Sequence, residues 1–420
     1  MAHPDPVARL VIVVLVALLT SATPAPAVQP GDVITRANVE AAVDLLPPSV
    51  AWMVRHGMTM QIVPYEKCPL QQIYLEATEK YASQVSLGDS GRVLKNYVAG
   101  MPFPAIDPSH PQAAWQIMWN HENKPAYTDD VYTSWLVENQ DERGTIERQL
   151  SSDTWRRLRW AGRLHNDPKP TIPHDPPLRF TEQWGPIDSP FDLRGAGFLL
   201  HRHMEPTRAD DSWLYLPVLR RIRRYSTSAR SDTLFGTDID QDSIWGFNSK
   251  PEWWDFKLLA EKETLASMHA GKYATPDMWC DTKGTESWMP CVNWEKRDVW
   301  LVEGIPKMPQ YAFGKRHLWI DKEIYNLTAS EMFDRGGELW KVWHNIFWYT
   351  KSPRPGRTYD EPRLFGSAVA VIDMQLMHSS RISPPSHLFP PEKDWLFEYG
   401  EASDNAPEYY TVAYLIESGS

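Results

Sequence analysis

The residues best suited to chemistry lie in one stretch, Ser212 to Phe247, where an arginine run is followed by an acidic turn. Four arginines fall between positions 220 and 224, and three alternating aspartates fall between positions 238 and 242. Arginines bind carboxylate, sulfate or phosphate groups through charge-assisted hydrogen bonds, and alternating carboxylates open a calcium-binding loop. The stretch therefore offers anion recognition and cation binding as candidate chemistries.

The acidic turn departs from a calcium loop at two positions. Ser243 stands where an EF-hand requires glycine, and Ser249 stands where it requires a bidentate glutamate. We therefore expect these carboxylates to pair with the arginine run, each charge-assisted bond contributing about 1.5 to 3 kcal/mol. On that pairing, Arg221→Ala should lower the melting temperature.

Other candidate catalytic or metal-binding groups are few. His201 and His203 alternate along a predicted strand and could hold a metal with Glu205 or Asp210, although such a pair is more often polar surface. The GDSG turn at Gly88–Gly91 lacks the glycine that follows it in trypsin-like proteases. No nucleophile elbow, phosphate-binding loop, dinucleotide fingerprint or zinc-protease motif occurs. We predict no catalytic residue, no metal and no cofactor, with an envelope hydrolase as the weakest alternative.

The element that must position the arginines is a strand. The alternating pattern predicts one long strand from Trp213 to Tyr225. One face of it is apolar at its start and cationic at its end, and we predict that this face contacts a ligand through Trp213, Tyr215, Leu219, Arg221 and Arg223. Such a face would meet an amphipathic ligand or an anionic partner. An ordinary sheet strand with solvated arginines is the alternative.

The composition argues against one partner class and leaves the role of the many tryptophans open. The chain has 420 residues and a net charge of −11, which argues against nucleic-acid binding. It also contains 20 tryptophans, a residue that lines large aromatic cores, apolar cavities and sugar-binding surfaces. We predict that three of them also contact a ligand, with plain core packing as the alternative for each: Trp300, Trp319 and Trp340.

The start of the chain has the pattern of an export signal. Arg9 precedes the apolar run Leu10–Leu19, and small residues at Ala25 and Ala27 occupy the positions that signal peptidase recognises. The run is short for a membrane span, which needs about 20 apolar residues. We predict a signal peptide cleaved near Ala27, with an uncleaved anchor as the alternative.

Export changes how the three cysteines are interpreted. Cys280 and Cys291 lie in a loop-like segment with glycine and proline, and their spacing favours a local disulfide. Cys68 would then be free, although a bridge from Cys68 to either of the other two is also compatible with the sequence.

The chain divides into a helical and loop-rich first part and a strand-rich second part. Helices are predicted from Thr35 to Leu46 and from Cys68 to Val85, and residues 86–195 have a loop-rich pattern. The predicted organisation is a signal peptide at 1–27, helices and loops at 28–195, strands at 196–380 with an insert at 266–298, and a C-terminal extension at 381–420. Strands without a βαβ rhythm favour a curved antiparallel sheet or open barrel. Beyond the long strand, we predict Ala196–Met204, Trp253–Glu261, Val299–Glu303, Tyr311–Ile320, Tyr325–Phe333, Leu339–Tyr349 and Ser367–Met377.

Several blocks resemble a known family. DxWLYLP with its arginine run, followed by FGTD at Phe235–Asp238, is similar to exported proteins described as outer-membrane lipoprotein-sorting proteins. Four further blocks resemble a Gram-negative branch of these proteins, domain of unknown function thirteen-twenty-nine. They are NYVAGMPFP at Asn96–Pro104, WLVEGIPK at Trp300–Lys307, RHLWID at Arg316–Asp321 and DRGGELWK at Asp334–Lys341. That branch is grouped with the lipoprotein carriers LolA and LolB. The resemblance covers the chain from about Gly31 to Met377.

The resemblance implies both a fold and a setting. The implied fold is α+β, an incomplete antiparallel β-barrel wrapped around helices with an apolar cavity, and the implied location is the periplasm. Members often accompany resistance-nodulation-division-type exporters and outer-membrane channels, which implies membrane partners. We therefore expect a periplasmic carrier or binding protein for a lipid, lipoprotein acyl chain, hopanoid or sterol-like molecule, free or peripheral to the outer membrane. A non-catalytic adaptor between an exporter and an outer-membrane channel is the alternative.

Overall fold

The computed structural model describes residues 28–88, 91–225, 229–280, 283–354, 356–403 and 405–420, so the predicted signal peptide lies outside the described residues. The α-helices in these ranges are α1 Pro48–Arg55, α2 Gln72–Tyr81, α3 Ala113–Glu122 and α4 Val412–Ser418. The strands are β1 Val33–Ile34, β2 Met60–Ile62, β3 Ser86–Leu87, β4 Leu94–Lys95, β5 Asp130–Gln140, β6 Ile146–Arg159, β7 Leu178–Trp184, β8 Gly197–His203, β9 Asp211–Leu216, β10 Arg221–Arg224, β11 Trp254–Ala266, β12 Asn293–Pro306, β13 Lys315–Asp321, β14 Leu327–Phe333, β15 Leu339–Thr350, β16 Arg363–Asp373, β17 His378–Ser383 and β18 Leu396–Phe397.

Most strands belong to one large antiparallel sheet. Its main path runs β11-β12-β13-β14-β15-β16-β17-β5-β6-β7-β8-β9-β10. Strand β2 pairs in parallel with the start of β12, and β18 pairs with β5. Within the described residues the end strands β11 and β10 do not pair with each other, so the sheet is open. The prediction of a mostly β fold with a few helices is confirmed.

Both faces of the sheet are covered. On the face that we call inner, Tyr74 of α2 and Met118 of α3 share one hydrophobic core with strand residues such as Phe180. On the outer face, the N-terminal segment and the insert before β12 pack on β15 and β16, and Leu415 of α4 packs on β6 to β9. Because burial of apolar area drives folding, both termini of the described chain belong to the folded unit.

The region from 86 to 195 contains long irregular segments, at 96–112 and 160–177, but it also contributes strands that were not predicted. It supplies the central strands β5, β6 and β7. Nearly every residue of β5 and β7 is buried, so these strands lack the alternating pattern by which a half-exposed strand is identified. The predicted strands after residue 196 are present with shifted boundaries, the long strand excepted.

The helix predictions had mixed outcomes. The helix expected from Thr35 to Leu46 is replaced by two 3-10 turns, and α1 begins at Pro48, where a helix was expected to have ended. Proline suits the first position of a helix because its missing N–H has no partner there. Helix α2 lies inside the predicted Cys68–Val85 helix. Helix α3 was missed because almost every position in it is buried, which hides the helical period.

The long strand predicted from Trp213 to Tyr225 is instead a hairpin. Strands β9 and β10 pair antiparallel, with Leu216 opposite Arg221. The chain turns through a 3-10 turn at Pro217–Leu219, and Arg220 adopts a left-handed φ of 46°. The proline has no N–H for a continued strand ladder, which favours a turn at this point.

Cys280 and Cys291 form a disulfide, the pairing that their spacing favours, with their Cα atoms 5.1 Å apart. The bridge lies in the insert before β12, whose Met278 and Trp288 pack on the outer face. Cys68 is a buried free thiol, and burial raises its pKa well above the usual range.

Candidate functional site

The acidic turn lies inside the protein. Asp240 and Asp242 are fully buried, and Asp238 is nearly so. The segment from residue 230 to residue 248 runs across the inner face, where Ile239 and Phe247 join the hydrophobic core. Irregular chain can occupy a core only when its polar groups have hydrogen-bond partners.

Buried ion pairs supply those partners. Arg230 pairs with Asp242 and, at 2.9 Å, with Asp210, which also pairs with Arg202 at 2.8 Å. Burial raises the pKa of Asp210, but the two guanidinium groups outweigh that effect and hold the pKa well below its usual range. Arg316 donates to Ser243 Oγ at 2.9 Å. We call this set the buried arginine network.

The predicted pairing between the arginine run and the acidic turn is therefore wrong. Arg221 and Arg223 are exposed at the β10 edge, and Arg224 pairs with Asp211. Arg230 and Arg316 contact the turn instead, and Lys341 and His378 contact Asp238. The reason is topological: the hairpin places the run at a sheet edge, whereas the turn lies on the inner face.

An open groove lies at the end of the sheet where β8 connects to β9. Its narrow arm, of about 160 Å³, shares Val93, Pro206 and Glu252 with the wide part and reaches Trp119 and Arg179. The wide part has a volume of about 600 Å³, within the range of small-molecule sites. The residues that line the wide part are Arg92, Val93, Pro206, Thr207, Ala209, Glu252, Trp253, Lys307, Met308 and Gln310.

The wide part of the groove has an apolar wall and a cationic mouth. Trp253 and Met308 are half-buried and supply much of the apolar wall. Arg92 donates from Nε to Asp255 at 3.1 Å, which neutralises part of its charge. Lys307 is exposed, and its amino group has no acceptor among the described residues. The mouth therefore has one cation available for an anionic ligand group and a second beside it.

The narrow arm contains buried polar atoms without partners. Arg179 is held between Glu122 at 3.3 Å and Glu252 at 2.7 Å. The second carboxylate oxygen of Glu252 and the indole nitrogen of Trp119 are buried and lack hydrogen-bond partners within the described part of the chain. An acceptor and a donor are thus available there to a hydroxyl group or a water molecule.

The wall formed by the β8–β9 connection is held in place from below. Lys250 Nζ donates to the carbonyl oxygens of His203 at 3.3 Å and Arg208 at 3.0 Å, and burial lowers the pKa of this lysine to about 8. The indole nitrogen of Trp253 donates to the Pro206 carbonyl oxygen at 3.2 Å. These bonds fix the β8–β9 connection to Lys250 and Trp253, so the groove is preformed.

None of the residues predicted to contact a ligand lines the groove. Trp213 and Tyr215 belong to the outer-face cluster beneath α4. Leu219, Arg221 and Arg223 are exposed at the β10 edge.

The three predicted tryptophans outside the hairpin are also separated from one another. Trp300 lies in the inner core with the Lys322 ammonium 4.1 Å from its ring centre. Trp319 lies in a small outer-face cluster. Trp340 is half-buried and donates to Asp373 at 3.0 Å. The structure does not bring these tryptophans together, because they lie on three different strands, and Trp319 faces the outer side whereas Trp300 packs in the inner core.

Comparison with known protein families identifies one family whose model matches most of the chain. The model of the family described as "Protein of unknown function (DUF1329)" matches residues 33–401. The chain belongs to this family. The match confirms the resemblance indicated by the sequence blocks. No curated protein matches the chain.

Three solved structures are similar to this DUF1329 chain. A domain from Vibrio parahaemolyticus named for outer-membrane lipoprotein sorting is 17% identical, with a TM-score of 0.48 over 72% of this chain and 97% of that one. A DUF1329 protein from Desulfovibrio piger is 14% identical, with a TM-score of 0.45 over 69% and 92%. A LolA superfamily protein from Nitrosomonas europaea is 13% identical, with a TM-score of 0.40 over 72% and 98%. In the described ranges, no helix has the length and apolarity needed to cross a membrane.

Two sequence blocks of the DUF1329 resemblance reach the groove. NYVAGMPFP supplies Asn96 and Tyr97 to the narrow arm, and WLVEGIPK supplies Lys307 to the mouth. Sequence reasoning placed Trp253 only at the start of a strand and assigned no role to Lys307. The sequence signal that could have drawn attention to Asn96, Tyr97 and Lys307 is their place in the two family blocks.

The two histidines considered as metal ligands have other partners. His201 Nε2 lies 2.7 Å from the Tyr410 carbonyl oxygen, and His203 Nε2 lies 2.8 Å from Asp211 Oδ2. Burial lowers the pKa of both to about 4. The described part of the chain holds no group of three or more histidine, cysteine or acidic side chains arranged for a metal.

A second depression, of about 640 Å³, contains a carboxylate in an unusual environment. Glu398 is buried beside Arg363, and His165 Nε2 lies 3.9 Å from it. Burial, opposed by Arg363, raises the pKa of Glu398 from its ordinary value of 4.5 to about 8. The folded protein therefore holds a proton there that the unfolded chain releases at lower pH.

This proton makes stability depend on pH. Because the pKa of Glu398 is raised on folding, its contribution is fully present below pH 4.5 and is lost as the pH rises to about 8. We expect Glu398→Gln to reduce the fall in melting temperature between about pH 5 and about pH 8.5, since the amide cannot ionise. Thermal unfolding followed by circular dichroism checks this, and an unchanged fall in the variant would contradict the assignment.

Proposed function

We propose that this protein is a non-catalytic carrier that binds a lipophilic molecule in the groove. The observation that carries the proposal is the apolar wall of Trp253 and Met308 beside the cationic mouth of Arg92 and Lys307. Burial of an acyl chain against the wall would contribute about 25 cal/mol per Å². Charge-assisted hydrogen bonds at the mouth would hold a carboxylate or phosphate head.

The chemistry of the groove favours some lipophilic classes over others. Lipids and lipoprotein acyl chains with an anionic head fit the cationic mouth. A hopanoid or sterol-like molecule would instead use a hydroxyl group, for which Trp119 and Glu252 offer a donor and an acceptor in the narrow arm. We favour the anionic class because Lys307 is exposed and has no acceptor among the described residues.

The proposed setting is the periplasm, and the proposed partners are an envelope exporter and an outer-membrane channel. This part of the proposal is supported by the export signal predicted at the start of the chain and by the setting that the sequence resemblance implies. A carrier would receive its ligand from one membrane protein and deliver it to another. The preformed groove suits that role, because a rigid site binds and releases ligand without refolding.

Binding to delipidated protein tests the proposal. Radiolabelled palmitate, a phospholipid and a sterol are the probes, with wild-type protein and Ala209→Trp compared. We expect Ala209→Trp to weaken binding by about 10-fold or more, because the indole takes up space in the wide part and competes with the ligand for the apolar wall. Ala37→Trp, on an exposed turn near the N-terminus, is the matched control and should bind as the wild type does.

A charge variant separates head recognition from tail burial. Lys307→Gln should weaken palmitate binding about 5-fold while leaving binding of the corresponding fatty alcohol unchanged. Failure of the wild-type protein to take up any of the probes would contradict the carrier. Stable co-purification with membrane proteins and an empty groove would favour the adaptor instead.

A further inference from the structure

A second surface feature lies at the β10 edge of the sheet, at the turn of the β9–β10 hairpin. Phe191, Val218 and Leu219 are 85%, 78% and 47% exposed, and the first two are the most exposed large apolar side chains in the described part of the chain. We call these three residues the hairpin tip.

The three side chains belong to one surface. The 3-10 turns Phe191–Leu193 and Pro217–Leu219 lie against each other. The backbone of Gly195 approaches the Pro217 ring so closely that a β-carbon on the glycine would lie 3.0 Å from Pro217 Cγ. Single exposed apolar residues are normal, but a cluster of them indicates an interaction site.

Exposed arginines surround the hairpin tip. Four of them have no carboxylate partner among the described residues: Arg194, Arg220, Arg221 and Arg223. Arg224 beside them is paired with Asp211. This local excess of positive charge occurs in a chain with a net charge of −11. The exposed cations are therefore concentrated around the most exposed large apolar side chains of the described chain.

We propose that the hairpin tip docks on an anionic lipid bilayer. The apolar side chains would enter the region between head groups and acyl chains, and the surrounding guanidinium groups would bind lipid phosphates. An anionic bilayer meets both requirements at once, because it offers negative charge above an apolar interior. This docking is independent of the groove ligand, since the tip and the groove lie at opposite ends of β9.

Co-sedimentation with vesicles tests the docking, using the full mature chain. Vesicles of phosphatidylethanolamine and phosphatidylglycerol are compared with vesicles of phosphatidylcholine. We expect binding to the anionic vesicles alone, weakened by added salt. Arg221→Gln with Arg223→Gln should lower the partition coefficient about 30-fold. Val218→Ser with Leu219→Ser should lower it about 10-fold.

Matched surface variants serve as controls. Leu376→Ser removes another apolar side chain, which is 75% exposed, and Arg36→Gln with Arg143→Gln removes two other exposed cations. Both should bind vesicles as the wild type does. Equal binding to neutral and anionic vesicles, no binding to either, or equal losses in the controls would overturn the proposal. A dimer in solution that Val218→Ser with Leu219→Ser dissociates would also overturn it, because the tip would then be an interface between copies.

Discussion

Arg230→Ala is expected to lower the free energy of unfolding by about 3 to 5 kcal/mol. Arg230 is fully buried and pairs with Asp210 and Asp242, so its removal leaves a buried carboxylate without its cation. The cost falls on the segment from residue 230 to residue 248, where Arg230 holds Asp242 and Arg316 holds Ser243. Urea unfolding followed by tryptophan fluorescence measures the change.

Arg221→Ala is the matched control for this experiment. Arg221 is exposed at the β10 edge, so its removal should change the free energy of unfolding by less than about 0.5 kcal/mol. A loss as large as that of Arg230→Ala would mean that the arginine run, not Arg230, holds the acidic turn. A loss below about 1 kcal/mol for Arg230→Ala would show that the network is not a major support of the fold.

Trp395→Ala is expected to destabilise the protein by a similar amount, about 3 to 5 kcal/mol. Trp395 is fully buried, packs on Trp245 and Phe397, and donates to the Gly366 carbonyl oxygen at 3.0 Å. Truncation would leave a cavity and an unpaired carbonyl group in the inner core. Thermal and urea unfolding measure the loss.

The control for the tryptophan is an exposed aromatic residue. Phe191→Ala should change stability by less than about 0.5 kcal/mol, because the side chain of Phe191 is 85% exposed. Trp395 lies beyond residue 380, so a large loss would also show that the C-terminal segment contributes to the core. Near-equal values for the two variants would contradict the packing described for Trp395.

The strands beyond residue 196 and the disulfide could be predicted from the sequence, because both leave local signals. Strand β11 alternates between exposed and partly buried positions, turn residues follow β13 and β14, and Cys280 and Cys291 are near in sequence. Strands β5 and β7 could not be predicted, since they are buried on both faces and show no alternation. Periodicity reports the contrast between two faces, and here that contrast is missing.

The partners of the acidic turn were beyond sequence reasoning for a different reason. The arginine run is the densest group of cations before the acidic turn, yet a tight turn at Pro217–Leu219 directs that run to a sheet edge. Asp242 pairs instead with Arg230, and Asp240 lies nearest Arg316 of β13. Which cation meets which carboxylate is decided by strand order, and strand order involves contacts between residues far apart in sequence.

The groove was missed because its parts come from separate segments of the chain. Val93, Pro206, Trp253 and Lys307 belong to four different connections, and none has a residue type that indicates binding by itself. Only their meeting at one end of the sheet creates an apolar wall beside a cation. Two of the sequence blocks that resemble the family contribute residues to this groove, whereas many of the tryptophans pack in the hydrophobic core.

Native mass spectrometry of the protein purified from its host tests the central claim most directly. The account predicts that wild-type protein and Ala37→Trp carry a co-purified lipid with an anionic head, and that Ala209→Trp does not. The lipid's mass would also give its chemical class. Wild-type protein without any bound lipid, or Ala209→Trp with the same lipid at the same occupancy, would contradict the assignment of the groove as the carrier site.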